Sequence, residues 1–535
     1  MSRDSFSLLD EPWIACQLLN GSAAELSLHE IFDRAGEVRR LTGELPTTEF
    51  ALLRLLLAVL YGALPEFRTA VDWAELRDGG LPLGTIHDYL ELYRDRFDLL
   101  HPTAPFFQVA GLHTQRGELS GLEKLILDVP NGRPFLTTRL GTGLESIGLA
   151  EAARWLVAAQ AFDPSGIKSG AVGDGRVKGG KVYPLGRGWA GYLGGVFIEG
   201  GDLGETLLYN LVGSDAASGA DWDDDAPSWH HPTQGPGAMP GAVPEGPASL
   251  YTWPARRILL GRDGDRVTGV LIGYGDPLTP QNQHFREPMT RWRRSQNQEK
   301  KLGLPTVYMP REHDPERALW RGIASFVPTP PAAKTGGEPS RAPLLDDWLA
   351  ELNGEGVLPS RRVRLRAVGV RYGSNDSVVD EIVDDALALD VLVLATSSAA
   401  VANLLDGTQQ RSADAARALA ELAGNLALAE GREEKPARDS AFAQAYAAFD
   451  QPYRDWLADL DVTGELDAAD DSWREAVRNV VLALAEELLT GVSRSAWRGR
   501  EAKGRQINAP LADLWFRAKL HTITRAVREK EEMTQ

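Results

Sequence analysis

Leu52, Leu55, Leu56, Val59 and Leu60 recur at the three- and four-residue spacing of an amphipathic helix. Thr47 stands where a cap would sit and Glu49 falls in the first turn, so the pattern predicts a core helix. The apolar run from Leu52 to Leu64 contains Arg54 and is too short to cross a bilayer. Leu28–Phe32 predicts a short helix, and residues 148–161 (GLAEAARWLVAAQA) a longer one that delivers the chain into a glycine-rich segment. Residues 361–370 change period: Arg362, Arg364 and Arg366 alternate with Val363, Leu365 and Ala367, the pattern of a strand with one basic face. That strand runs into a tight polar turn, Tyr372 to Ser377.

From about residue 386 the chain becomes rich in Ala, Leu and Glu and predicts a helical bundle. Ser412 is placed to cap a helix that carries Ala415, Leu419, Leu422 and Leu426 and stops at Gly431. Phe442, Tyr446, Phe449, Tyr453, Trp456 and Leu460 form an aromatic core seam. Ser472 and Glu475 read as a capping box, and Asn508 with Pro510 opens a final helix. Four antiparallel helices on short connections satisfy this pattern. The fold class expected is therefore α+β: a large mixed α/β domain over 1–385, then a four-helix bundle over 386–535. Segments 213–249 and 327–343 read as linkers rich in Pro and Gly, with His230 and His231 exposed in the first.

The charge distribution changes this picture. The 535-residue chain has a net charge of −18, which argues against a free-standing binder of bulk DNA or anionic membrane. Against that background, residues 162–188 hold eight glycines with Lys168, Arg176, Lys178, Lys181 and Arg187, opposed only by Asp163 and Asp174. Glycines let the backbone approach a polyanion closely, and the cations attract it. A second basic segment, 281–301, contains Arg286, Arg291, Arg293 and Arg294 around Trp292, the composition of a strand-tracking surface with a stacking platform or of a solvated charge run over one inward Trp. A third lies at the end of the bundle and includes Arg494 and Arg498, either a strand-binding groove or a solvated helix face. The single cysteine, Cys16, excludes an intrachain disulfide and a cysteine-based zinc cluster, and points to a reducing, cytoplasmic setting. The N-terminus shows no secretory-type apolar region.

No metallohydrolase helix, nucleophile elbow or cysteine–histidine pair is legible, so no catalytic or metal residues and no cofactor are assigned. Two other readings stay open. Residues 175–182 satisfy the spacing of a phosphate-binding G-x-x-x-x-G-K loop, which suggests a nucleotide-binding enzyme, yet Val182 stands where a hydroxyl is needed. The bundle alone suggests a helical protein-interaction scaffold.

Taken in order, LLDEPWI, LHEIF, HPTAPFFQ (His101–Gln108), AAQAF followed by SGIKSG, and the terminal bundle resemble the CasA family, the large subunit of the type I-E CRISPR surveillance complex Cascade. The resemblance implies a non-catalytic subunit of an RNA-guided antiviral complex. It would read the protospacer-adjacent motif through the minor groove, promote duplex opening and R-loop formation, and recruit a helicase-nuclease. Its partners would be target double-stranded DNA, the displaced strand, guide RNA and other Cascade subunits. By position, the family's glycine loop matches Pro164, Ser165 and Gly166, leading into Lys168 and Gly170, and its strand-separating wedge matches Ser374, Asn375 and Asp376. The guide-RNA loop matches Val129 to Gly143, with Phe135 and Thr137 at its informative positions. The family's minor-groove lysine has no match; Arg286, Arg291, Arg293 or Arg294 stands in its region. The expected exposure of Lys168 and Asn375 predicts that reversing the one or replacing the other weakens DNA binding and leaves the fold intact.

Overall fold

A computed structural model describes residues 4–129, 137, 139, 142–216, 222–328, 340–341, 343–502 and 504–525. The chain divides into two compact units. The first comprises Met1–Arg317, Lys334–Pro359 and Val363–Ala386; the second comprises Ala318–Ala333, Ser360–Arg362 and Leu387–Gln535.

In the first unit, the expected core helix runs Pro46–Ala63. Its cap residue is Leu45 and not Thr47, because Pro46 at the first helical position already has the required φ and no donor to satisfy. Thr47 is instead buried in the first turn. The helix is long and apolar enough to span a membrane by composition, but 78% of it is buried inside the protein, which makes it a core helix. Arg54, the one charge in its centre, donates two 2.8 Å hydrogen bonds to Glu287, which also accepts from Trp189 Nε1 at 2.6 Å. The short helix Leu28–Asp33 opens on a capping box made by Ser27 and Glu30.

Several small antiparallel sheets accompany these helices, among them the following three. Ile14–Leu18 pairs with Ala23–Leu26 and Val38–Leu41. Arg256–Asp263 and Arg266–Tyr274 form a hairpin edged by Ile147–Gly148. Arg362–Tyr372 lies between Gly195–Glu199 and Val379–Asp390. The alternating arginines do form a strand, but its basic face is neutralised. Arg364 pairs with Glu199 at 3.1 Å, and Arg366 with Glu49 at 2.8 Å and Asp384 at 2.6 Å.

The segment expected to be a linker at 213–249 is anchored from 222 onward by a few buried side chains, while His230 and His231 are exposed as expected. Trp222 and Trp229 are buried, and Trp229 Nε1 donates to the Tyr89 hydroxyl. His230 stacks on Tyr93 with ring centroids 4.5 Å apart. Asp225 accepts from the backbone amides of Ala248 and Ser249. Large aromatic side chains recover enough apolar burial to order a Pro/Gly-rich stretch. Most of 327–343 lies outside the described residues.

His313 gives this unit a titratable weak point. Its Nε2 donates to the Gly195 carbonyl at 2.9 Å. Burial, reinforced by Arg291 and Arg311 and opposed by Asp385, pushes its pKa down to about 4. The unfolded chain, with an imidazole pKa of about 6.5, therefore takes up this proton first as pH falls. Stability is expected to decline between pH 6.5 and 4 by up to about 3 kcal/mol from this group. His313→Gln keeps a donor and should remove that part of the slope, measured by denaturant unfolding across the same pH range.

In the second unit, helices Ala399–Glu430, Glu434–Ala458, Leu466–Thr490 and Ala509–Thr524 form the bundle, the first packing against the other three. Gly431 ends the first with φ +80°, and Asn508 caps the last by accepting from Leu511 N. Ser412 and Ser472 lie inside helices and do not start them. Ser412 is buried, donates to the Thr408 carbonyl and accepts from Trp473 Nε1, so its hydroxyl serves the core. Ser472 donates to the Ala469 carbonyl. Of the aromatic seam, Phe449, Tyr453 and Leu460 are core and Phe442, Tyr446 and Trp456 half-buried; Tyr453 lies 4.5 Å from Trp320 and 4.8 Å from Trp473 between ring centroids.

Candidate nucleic-acid interface

Helix Leu149–Phe162 ends at Asp163, and the chain leaves it through Pro164, Ser165 and Gly166. This exit is held by buried polar bonds. Arg256 pairs with the Asp163 carboxylate and donates to the carbonyls of Asp163 at 2.8 Å, Pro164 at 3.3 Å and Gly186 at 2.9 Å. One guanidinium thus pins both ends of the glycine-rich stretch. Tyr274 donates to the Gly166 carbonyl at 2.6 Å, and Ser165 is buried against the same hydroxyl. Gly166 has φ +114°, and a Cβ there would meet Ser377 Cβ at 3.5 Å. The glycine loop and the polar turn at 374–377 therefore lie side by side, about one methyl group apart at this point.

That turn is a one-turn 3₁₀ helix, Ser374–Asp376, at the end of the Arg362–Tyr372 strand. Asn375 and Asp376 have φ +56° and +55°, a region Asn and Asp enter more readily than other side chains. Ser374 and Asn375 are exposed. Asp376 is not a free tip, because Arg187 holds its carboxylate at 3.2 Å while stacking over Tyr192 and Tyr372. This leaves Asn375 as the protruding group.

Loop and turn line one cavity of about 740 Å³. Its lining includes Ser120, Glu123, Lys124, Ser169, Asn375 and Ser377, with Ile126, Leu127 and Ser165 buried. Tyr183, 60% exposed, stands in its wall.

Lys168 lines this cavity but is not the free cation expected from the sequence. Its ammonium is 2.5 Å from Asp163 with 13% of the side chain exposed. Burial holds its pKa below the usual lysine range, with Arg256 adding to the effect and Asp163 opposing it. Gly170 is also not a contact position. It is buried, and a Cβ would strike Val177 Cγ1 at 2.6 Å, so glycine here lets the following hairpin close.

The G-x-x-x-x-G-K spacing belongs to that hairpin. Lys168–Ser169 pairs with Lys181–Val182. Lys178 and Lys181 exchange backbone hydrogen bonds around Gly179 (φ +59°) and Gly180 (φ +77°), a two-residue turn that requires positive φ twice. No helix follows Lys181, so its amides are not aimed as a phosphate-binding loop would aim them. The turn does something else. Arg176 and Arg187 are tied to Asp174, and to Glu312 and Asp376, whereas Lys178 and Lys181 stand exposed without an ion-pair partner among the described residues.

In the 281–301 segment, Trp292 is fully buried and is not a stacking platform. Arg291 is 8% exposed, and burial pushes its pKa down to about 9. Arg286 is half-buried, and Arg294 pairs with Glu299 at 2.5 Å. Arg293, on the strand Trp292–Arg294, is the exposed cation of the four. Thr137 donates to Asp128 at 3.3 Å; Phe135 lies outside the described residues. In the second unit, Arg494 and Arg498 are exposed on a short helix beside Trp497, which is 54% exposed. Sequence reasoning missed Tyr183 and Arg256. The first had a signal, since Lys181, Val182 and Tyr183 alternate out, in, out.

Comparison with known proteins shows the family of the chain. The model of the family described as CRISPR-associated protein Cse1 matches residues 7–484. A curated relative, CRISPR-associated protein CasA/Cse1 of Thermus thermophilus, is 34% identical over 382 residues, 69% of this chain and 68% of that protein. The crystal structure of Thermobifida fusca Cse1 is similar at a TM-score of 0.90 and 43% identity, over 97% of this chain and 98% of that one. A chain of a CRISPR RNA-guided surveillance complex shares the fold at a TM-score of 0.69 and 18% identity, over 97% of this chain and all of that one (100%).

Proposed function

The chain belongs to the CRISPR-associated Cse1 family, also called CasA, and on that premise we propose that it is the non-catalytic DNA-recognition subunit of an RNA-guided antiviral complex. The observation that carries this reading is that the glycine loop and the polar turn lie side by side and line one cavity. Close backbone approach at Pro164, Ser165 and Gly166 suits the minor groove, where few side chains fit. Asn375, held out at positive φ beside that loop, is the wedge that enters at the first base pairs.

In this role the protein checks the protospacer-adjacent motif while guide RNA checks the longer sequence. Lys178 and Lys181 supply phosphate attraction on the loop side. Arg293 takes the place of the family's minor-groove lysine. Arg494 and Arg498 support the displaced strand, and the 129–143 loop, with Phe135 and Thr137, meets guide RNA and other Cascade subunits. The assembly works in the cytoplasm and, once the R-loop forms, recruits a helicase-nuclease.

Asn375→Gly tests the wedge. Glycine keeps the backbone at positive φ and removes the side chain alone. In gel-shift titrations of the reconstituted complex, this variant should bind motif-bearing duplex about tenfold more weakly, with unchanged thermal unfolding. Unchanged affinity would refute the assignment.

A further inference from the structure

Resting on the reading that this face meets target DNA, we propose that the cavity receives one unpaired nucleobase of that DNA, laid against Tyr183, with its flanking phosphates on Lys181 and Lys124. The cavity is about 740 Å³. That lies in the range of pockets that bury a single small ligand and far below what a double helix would occupy. Its chemistry is divided as a flat heteroaromatic ring requires. Apolar Ile126, Leu127 and Ile272 line the cavity beside the buried Asp163–Lys168 pair, and the exposed Asn375 and Ser377 can meet the edge of a base.

Tyr183 is the group no other function explains. Its ring is 60% exposed, and among the described residues it makes no ring contact and no hydrogen bond. Most large aromatics in this unit are buried, including Trp189, Trp229 and Tyr274. The hairpin fixes its orientation: Ser169 pairs with Lys181, Val182 points into the core, and Tyr183 returns to the outer face two residues after Lys181. A cation and an aromatic ring on one strand face is the arrangement that follows a single strand, with phosphate on the first and base on the second. Lys124, also exposed, provides a second cation in the cavity lining, next to the exposed Glu123. A wedge that opens the first base pairs would generate an unpaired base within reach of this wall, and an unpaired base costs least to hold outside the stack.

The test places 5-iodouracil at successive positions of both strands next to the motif, in duplex bound to the reconstituted complex. A photo-crosslink to Tyr183, mapped by mass spectrometry, is expected at one position. It should persist in Tyr183→Phe and vanish in Tyr183→Leu. An abasic site at that position and Tyr183→Leu should each weaken binding about fivefold, and together no further, because both remove the same stack. Crosslinks confined to other residues, or losses that multiply, would overturn the proposal. If duplex binding and its sensitivity to Asn375→Gly survive, the recognition reading stands and only the base pocket falls. If Asn375→Gly has no effect and no crosslink reaches the cavity, both fall.

Discussion

Lys178→Glu combined with Lys181→Glu is expected to weaken binding of motif-bearing duplex to the assembled complex by about fiftyfold at physiological salt. These two lysines are the exposed, unpaired cations of the glycine-rich stretch, the other three being engaged by Asp163, Asp174, Asp376 and Glu312. A lysine about 4 Å from a phosphate gains about 1 kcal/mol in water, and reversal turns the gain into a similar penalty. Two positions therefore shift the balance by about 4 kcal/mol before screening. With a Debye length of about 8 Å, roughly 2–3 kcal/mol of that remains. The same variant should flatten the dependence of log K on log salt by about 1.8, since each neutralised phosphate contributes a slope of about −0.9. A full loss of affinity with an unchanged slope would mean that the lysines act through the fold and not through phosphate. Against a chain charge of −18, this attraction must be local.

Where the sequence speaks through nearest neighbours, the fold was readable. The core helix, the Gly431 stop, the Asn508 cap and the Tyr372–Ser377 turn all follow from spacing within a few residues. What lay beyond reach is burial decided by distant partners. Arg54 is buried because Glu287, 233 residues away, receives it. Local composition left Trp292 as either a stacking platform or one inward Trp, and strand pairing with Tyr308–Pro310 decides for the inward one. Local charge counts failed for a related reason. Lys168 counted as a free cation, yet Asp163, five residues upstream, folds back onto it. Val182 already counted against a phosphate loop at 175–182, and the hydrogen bonds between Lys178 and Lys181 show what the glycines serve instead, a hairpin turn.

Asp163 is the residue on which the glycine loop depends most, and Asp163→Asn should destabilise the first unit by about 3–5 kcal/mol, the cost of breaking a buried ion pair by removing one partner. Its carboxylate is 3% exposed and takes two cations, Arg256 and Lys168, themselves 2% and 13% exposed. Neutralising it leaves two cations facing each other out of water, and the Arg256 hydrogen bonds that pin the Pro164 and Gly186 carbonyls lose their anchor. Lys168→Met is the contrasting variant. It removes the more exposed cation, leaves Arg256 paired with Asp163, and keeps most of the aliphatic packing, so its cost should stay below about 1 kcal/mol. Denaturant unfolding separates the two, and limited proteolysis should cut Asp163→Asn within 162–188 while sparing Lys168→Met. Equal stability of the two variants would show that Arg256 does not depend on Asp163. The DNA consequence has the same order: Asp163→Asn should abolish motif recognition by releasing the loop that presents Gly166 to Ser377, whereas Lys168→Met should weaken it only slightly, because the cation it removes is already spent on Asp163.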